Sequence, residues 1–167
     1  MKGSDSLFLD SVKLDIRVKK LNLPEYSFRI RDLDSKKQIF DEVRKRFVAL
    51  TPEEWVRQNF LKYLLTEKKY PQSLILVEGG LKLFKLKKRT DIVVYNNHGK
   101  PLLIAECKAP DVVIDQNVFD QIVRYNMALQ VKYMILTNGL SHYSCSIDYS
   151  LKTYNFLKDI PDYPDLK

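Results

Sequence analysis

A chain of 167 residues, 45% apolar and 11% aromatic, is long enough to bury one core and too apolar to be disordered. Its formal net charge of +7 favours polyanionic partners, nucleic acid ahead of an anionic membrane surface, with a merely solubilising surplus as the alternative. With five glycines and seven prolines it is neither collagen-like nor repetitive, and no apolar run reaches signal-peptide or membrane-span length, so a cytoplasmic protein with no membrane partner is expected.

Residues 1–22 read as a weakly specified lead-in to a domain over 23–150, which starts with a β-hairpin. "LPEYSFRIRDLDSKKQIFD" predicts two short strands around a polar turn at Asp32 to Lys37, and "RKRFVAL" a third. A helix follows in "TPEEWVRQNFLKYLL": Thr51 is an N-cap, Pro52 suits the first helical position, and Glu54 completes a Thr-x-x-Glu capping box. Val56, Phe60, Tyr63 and Leu64 supply its apolar stripe, and the helix fades near Lys68 to Pro71.

"SLILVEGGLKLF", "RTDIVVY" and "KPLLIAECK" predict three strands, the last two joined as an antiparallel hairpin by the turn "NNHGK". A second helix covers roughly 115–130, with Val118, Ile122, Tyr125 and Leu129 along one side. "KYMILTNG" then reads as a buried strand, "HYSCSIDY" as a final one, and 151–167 as a tail that either wraps the surface or trails off. The order predicts an α/β (α+β) fold, a mixed β-sheet flanked by helices. Cys107 and Cys145 lie far apart, with neither His98 nor His142 at zinc-ligand spacing, and read as two buried reduced thiols.

The chemistry concentrates in "RTDIVVYNNHGKPLLIAECKAP". Strand alternation puts Ile104, Glu106 and Lys108 on one face, and Leu103, Ala105 and Cys107 on the other. The hairpin brings Asp91, which opens the preceding strand, beside Glu106 and Lys108. Two adjacent carboxylates can hold a divalent cation, and hard oxygen ligands suit Mg2+ (or Mn2+). A lysine beside it can orient an attacking water or stabilise charge developing on a phosphate. The competing reading is a partly exposed ion pair at a strand end, with Asp91 as a turn residue. Just upstream, Lys82, Lys85, Lys87, Lys88 and Arg89 form a basic run suited to phosphate-backbone contact, or to protecting a sheet edge. Arg57 and Lys62 extend that basic surface.

Asp91 followed by Glu106-Cys107-Lys108 resembles the PD-(D/E)XK nuclease signature, with Thr90 where the optional proline would stand. Gln121 and Tyr125, as Gln-x-x-x-Tyr in "DQIVRYN", resemble the auxiliary motif of the nuclease domain in type I restriction enzyme R subunits and related RecB-like nucleases. "TPEEWVRQ", "IAECKAP" and "TNG" also look like that domain in its stand-alone form, and the similarity covers roughly Leu23 to Asp148. The resemblance implies a restriction-endonuclease-like core of order αβββαβ, here with an extra strand. It implies metal-dependent hydrolysis of DNA by Asp91, Glu106, Lys108, Gln121 and Tyr125. It also implies a glutamate from the first helix at the metal, Glu54 or Glu53; for Glu54 the capping box stands as an equal explanation. Glu78, at the end of the first core strand, is a further candidate acid for the site. No P-loop pattern occurs, so an ATPase motor of its own is not expected. A DNA-binding or subunit module, inactive without a motor or specificity partner, is the alternative to an independent nuclease.

Overall fold

The computed structural model describes residues 19–80, 89–127 and 129–166, with the backbone alone for Gly79, Gly80, Arg89 and Tyr125. Residues 1–18 of the lead-in, Lys82, Lys85, Lys87 and Lys88, and the side chains of Arg89 and Tyr125 lie outside that description.

Strands β1 (Ile30–Leu33), β2 (Lys36–Asp41) and β3 (Arg46–Ala49) form an antiparallel three-stranded sheet. Asp34 and Ser35 both take positive φ, 50° and 61°, as a two-residue hairpin turn requires. The first helix, α1 (Pro52–Thr66), begins as expected: Thr51 is extended and its hydroxyl accepts the Glu54 N–H at 3.1 Å. The reciprocal half of the capping box is absent. The Thr51 N–H donates to the Ala49 carbonyl, and the Glu54 carboxylate turns to two arginines, whose charge outcompetes a neutral amide.

The main sheet has six strands in the order β4 (Ile75–Gly80), β5 (Arg89–Tyr95), β6 (Pro101–Cys107), β7 (Tyr133–Thr137), β8 (His142–Asp148) and β9 (Thr153–Phe156). All neighbours are antiparallel except β6 and β7, which are parallel and joined by α2 (Gln116–Met127), the crossover that a parallel pair needs. The fold is thus a mixed sheet with a small second sheet and two helices, and it contains the expected order αβββαβ.

Alternation sorts the strand residues into two cores. Val77, Ile92, Val94, Leu103, Ala105, Cys107 and Ile135 pack with Val56, Phe60 and Leu64 of α1. On the other face Met134, Leu136, Cys145 and Ile147 pack with Phe119 and Val123 of α2, while Val93 and Ile104 meet Leu129 and Val131. Strands β6 and β7, covered on both faces, are therefore almost continuously apolar. Both cysteines are buried and free.

Two expectations shift. The buried side of α2 is Phe119, Val123 and Asn126, with Val118 and Ile122 only half-buried. The helix is rolled toward Phe119 because that ring joins Tyr154 and Phe156 at centroid distances of 5.4 and 4.8 Å. Those two aromatics belong to β9, which falls within the stretch read as tail. The remainder wraps the surface: Ile160 is buried, the Tyr70 hydroxyl donates to the Pro161 carbonyl at 3.1 Å, and the Tyr163 N–H donates to the Lys68 carbonyl at 2.9 Å.

Candidate active site

Register builds the site. Strands β5 and β6 pair Ile92 with Ala105, so one step outward Asp91 stands opposite Glu106. Strands β4 and β5 pair Val77 with Ile92 and Gly79 with Thr90, so Glu78 stands opposite Asp91. Three acids on adjacent strands thus lie abreast at one end of the sheet. Glu78 has φ of 49°, a conformation that costs an L residue about 1–2 kcal/mol and breaks the pleat of β4 there.

The Asp91 carboxylate is held from two sides. The Cys107 N–H donates to Oδ2 at 2.7 Å, and Arg57 Nη2 donates to Oδ1 at 2.8 Å. The first bond lets the side chain stand in for a ladder rung where the β5–β6 pairing begins. Glu106 is buried at 7% exposure. Lys108 is half-buried, and its N–H donates to the Thr137 carbonyl at 2.8 Å, continuing the β6–β7 pairing past Cys107. Burial and the neighbouring Asp91 carboxylate push the Cys107 thiol well above its ordinary range, which makes it a poor metal ligand.

Behind Asp91 lies a charge network that the sequence reading missed, though it placed Glu54 and Glu78 near the site. Arg57 is buried rather than on a basic surface, because it forms ion pairs with Glu53 at 2.9 Å, Glu78 at 3.4 Å, Asp91 at 2.8 Å, and Glu54. Burial alone would lower its pKa; Asp91 and Glu54, with smaller help from Cys107 and Glu78, more than offset that and raise it. A second guanidinium, Arg44, meets Asp41 at 2.6 Å, Glu54 at 2.5 Å, and Glu78. Gln58 donates to Asp41 at 2.7 Å and Glu54 at 2.8 Å. The spacing of Glu53, Glu54, Arg57 and Gln58 along one helix was a visible signal. Arg44 had none, since its partners Glu54 and Glu78 are remote in sequence.

Gln121, which the resemblance places in the catalytic set, is exposed on α2, because rolling toward Phe119 turns it outward. Among the described residues no contact ties it to Asp91 or Glu106. Lys62, expected to extend a basic surface, pairs with Glu42 at 2.9 Å.

Among the described residues no group of three or more His, Cys, Asp or Glu is arranged to hold a metal ion. Asp91 and Glu106 nevertheless supply what magnesium uses, one or two carboxylates, with waters and substrate phosphates completing its shell. Each Asp91 oxygen retains a lone pair beyond its bond to Arg57 or Cys107, and outer-shell bonds of that kind are usual for ligating carboxylates. The donor set therefore fits. No helix among the described residues is long and apolar enough to cross a membrane.

A search of curated proteins returns no match. Among solved structures the chain is similar to a fragment assigned as an HsdR subunit of a type I restriction enzyme from Vibrio vulnificus YJ016, at 21% identity and a TM-score of 0.48. That similarity covers 70% of this chain and 24% of the other, so the chain spans about a quarter of that relative's length. A family model described as type I restriction enzyme R protein N terminus (HSDR_N) matches residues 52–161, from the start of α1 through the candidate site and β9. With well over half its length matched, the chain belongs to the family of type I restriction enzyme R protein N termini.

Proposed function

We propose that the chain is a nuclease domain that hydrolyses DNA phosphodiester bonds with Mg2+ or Mn2+ held by Asp91 and Glu106. The observation that carries this reading is the register that sets Asp91 opposite Glu106, with Lys108 two residues on, just past the end of β6. A divalent cation at these carboxylates would supply Lewis-acid polarisation of the phosphate and activation of water. The protein's own groups do the rest. Arg57 and the Cys107 N–H orient Asp91. The Lys108 ammonium stabilises negative charge growing on the phosphate and orients the attacking water. Gln121, exposed on α2, and Tyr125, one turn on, contact the substrate. Glu54, engaged by two arginines, acts through Arg57 rather than as a direct ligand. Lys82, Lys85, Lys87, Lys88 and Arg89 contact the DNA backbone without reading sequence. The wider setting is a restriction system with a motor or specificity subunit as partner.

The test is incubation of the purified protein with plasmid and linear DNA. Cleavage in Mg2+ or Mn2+ is expected, lost on chelation and in Asp91→Ala and Lys108→Ala. Cleavage that survives both substitutions belongs to a contaminant and overturns the assignment. A second reading, a subunit module silent without its partner, is favoured by the engagement of both Asp91 oxygens within the chain. It predicts salt-dependent DNA binding without cleavage by the isolated protein.

A further inference from the structure

Arg44 lies in the turn between β2 and β3, outside the family match, and touches neither Asp91 nor Glu106 among the described contacts. It is nonetheless nearly buried, with 9% of its side chain exposed, and its fork reaches carboxylates from three elements: Asp41 at the end of β2, Glu54 on α1 and Glu78 on β4. Asp41 is fully buried and fixes the turn, accepting the N–H groups of Val43 and Arg44 at 2.8 and 2.7 Å. Glu54 and Glu78 are the same carboxylates that Arg57 binds, and Arg57 is the cation on Asp91. An unbroken series of ion pairs therefore runs from the small sheet to the first candidate ligand. Buried ion pairs add little stability over apolar packing of the same volume. What a planar guanidinium adds is geometry, because its rigid fork can hold several carboxylates in fixed directions where an ammonium is a point charge.

We propose that Arg44 is a positioning residue for the cation site: by sharing Glu54 and Glu78 with Arg57 Nη1 it keeps Arg57 Nη2 on Asp91, which makes the N-terminal three-stranded sheet part of that site. The inference rests on the nuclease reading above. Without the Arg44 fork, Glu54 and Glu78 draw Arg57 toward themselves, and Asp91 loses one of the two donors that orient it.

The experiment is calorimetric titration of Mn2+ into the full chain, as wild type, Arg44→Lys, Arg44→Gln and Arg31→Gln, with circular dichroism to verify each fold. Arg44→Lys keeps the charge, and hence the best prospect of folding, but loses the fork. Mn2+ affinity is expected to fall about tenfold in Arg44→Lys and up to about 100-fold in Arg44→Gln, the usual range for outer-shell substitutions. Arg31 lies on the same small sheet, bonded to Gln38 at 2.8 Å and outside the network, and Arg31→Gln should bind as wild type does. A purely structural role would lower the unfolding midpoint of Arg44→Lys without changing its Mn2+ affinity. Wild-type affinity in folded Arg44→Lys therefore overturns the inference while leaving the nuclease reading in place. Failure of the wild type itself to bind Mn2+ overturns the nuclease reading, and this inference with it.

Discussion

Arg57 has 4% of its side chain exposed, yet it is paired with Glu53, Glu54, Glu78 and Asp91. Removing such a cation takes from Asp91 its ion pair to Arg57 and leaves Glu54 and Glu78 with Arg44 as their ion-pair partner, a change that costs about 3–5 kcal/mol where single partners of buried pairs have been deleted. Arg57→Met should therefore lower the urea midpoint by that equivalent, a large part of a typical domain's stability. Lys62→Met, at a pair with Glu42 whose side chains are 26% and 48% exposed, should change it by less than about 1 kcal/mol. Equal effects from the two would mean that the buried network is no more coupled than a surface pair. The same contrast explains what was legible residue by residue. Asp91, Glu106 and Lys108 followed from period-two alternation and a recognisable hairpin turn, which are local facts. Glu54 had two local explanations, a cap and a ligand, and tertiary charge supplied a third that neither anticipated. Arg44 carried no local signature, because nothing near it in sequence indicates that a turn residue will be buried against α1 and β4.

Elements read correctly where their end signals were strong. Thr51 and Pro52 fixed the start of α1, and Asn96 to Lys100 fixed the β5–β6 hairpin, where Gly99 takes a φ of 71°. Elements defined by contact rather than by local signal were missed. Strand β9 has four residues and needs Phe119 and β8 beside it, and the roll of α2 follows from the same aromatic cluster. The turn between β7 and β8 is another contact-defined feature. Gly139 has a φ of 80°, and a Cβ there would sit 2.6 Å from the Leu21 side chain, so the end of the lead-in closes directly over it. His142 joins the two: its Nδ1 lies 2.7 Å from the Thr137 hydroxyl and its Nε2 lies 3.0 Å from the Asn22 carbonyl. The Thr137 oxygen already accepts the Gly139 N–H, so the neutral Nε2–H tautomer satisfies every partner. Burial holds the imidazole below its ordinary pKa, with the Asn22 bond opposing. The unfolded chain thus takes up the proton first on acidification. This contribution to stability is complete above the unfolded value of 6.5 and is lost as pH falls through the lower folded value. The urea midpoint should fall between about pH 8 and about pH 5.5, and His142→Gln should flatten that dependence. An unchanged pH profile in His142→Gln would assign the dependence to other groups.

At the scale of the whole molecule, charge is unevenly spread. The chain carries +7 overall, whereas Asp91, Glu106, Glu78 and Glu54 make the candidate site acidic. On the proposed nuclease reading, a polyanion approaching such a site would need cations beside it to offset the carboxylates. The basic run Lys82, Lys85, Lys87 and Lys88 lies between β4 and β5, directly before the strand that carries Asp91. If these lysines neutralise phosphates, each contact releases counterions, and the plot of log K against log salt steepens by about 0.9 per contact on duplex DNA. Replacing all four by alanine should therefore make that slope shallower by roughly 1 to 4 and weaken binding similarly on unrelated sequences. The measurement is fluorescence anisotropy of labelled duplexes across a salt series, with EDTA present to prevent cleavage. A slope unchanged by the fourfold substitution would mean that the lysines only guard the sheet against edge pairing. A shallower slope with cleavage retained at low salt would separate groups that gather DNA, before β5, from groups that cut it, Asp91 on β5 and Glu106 on β6.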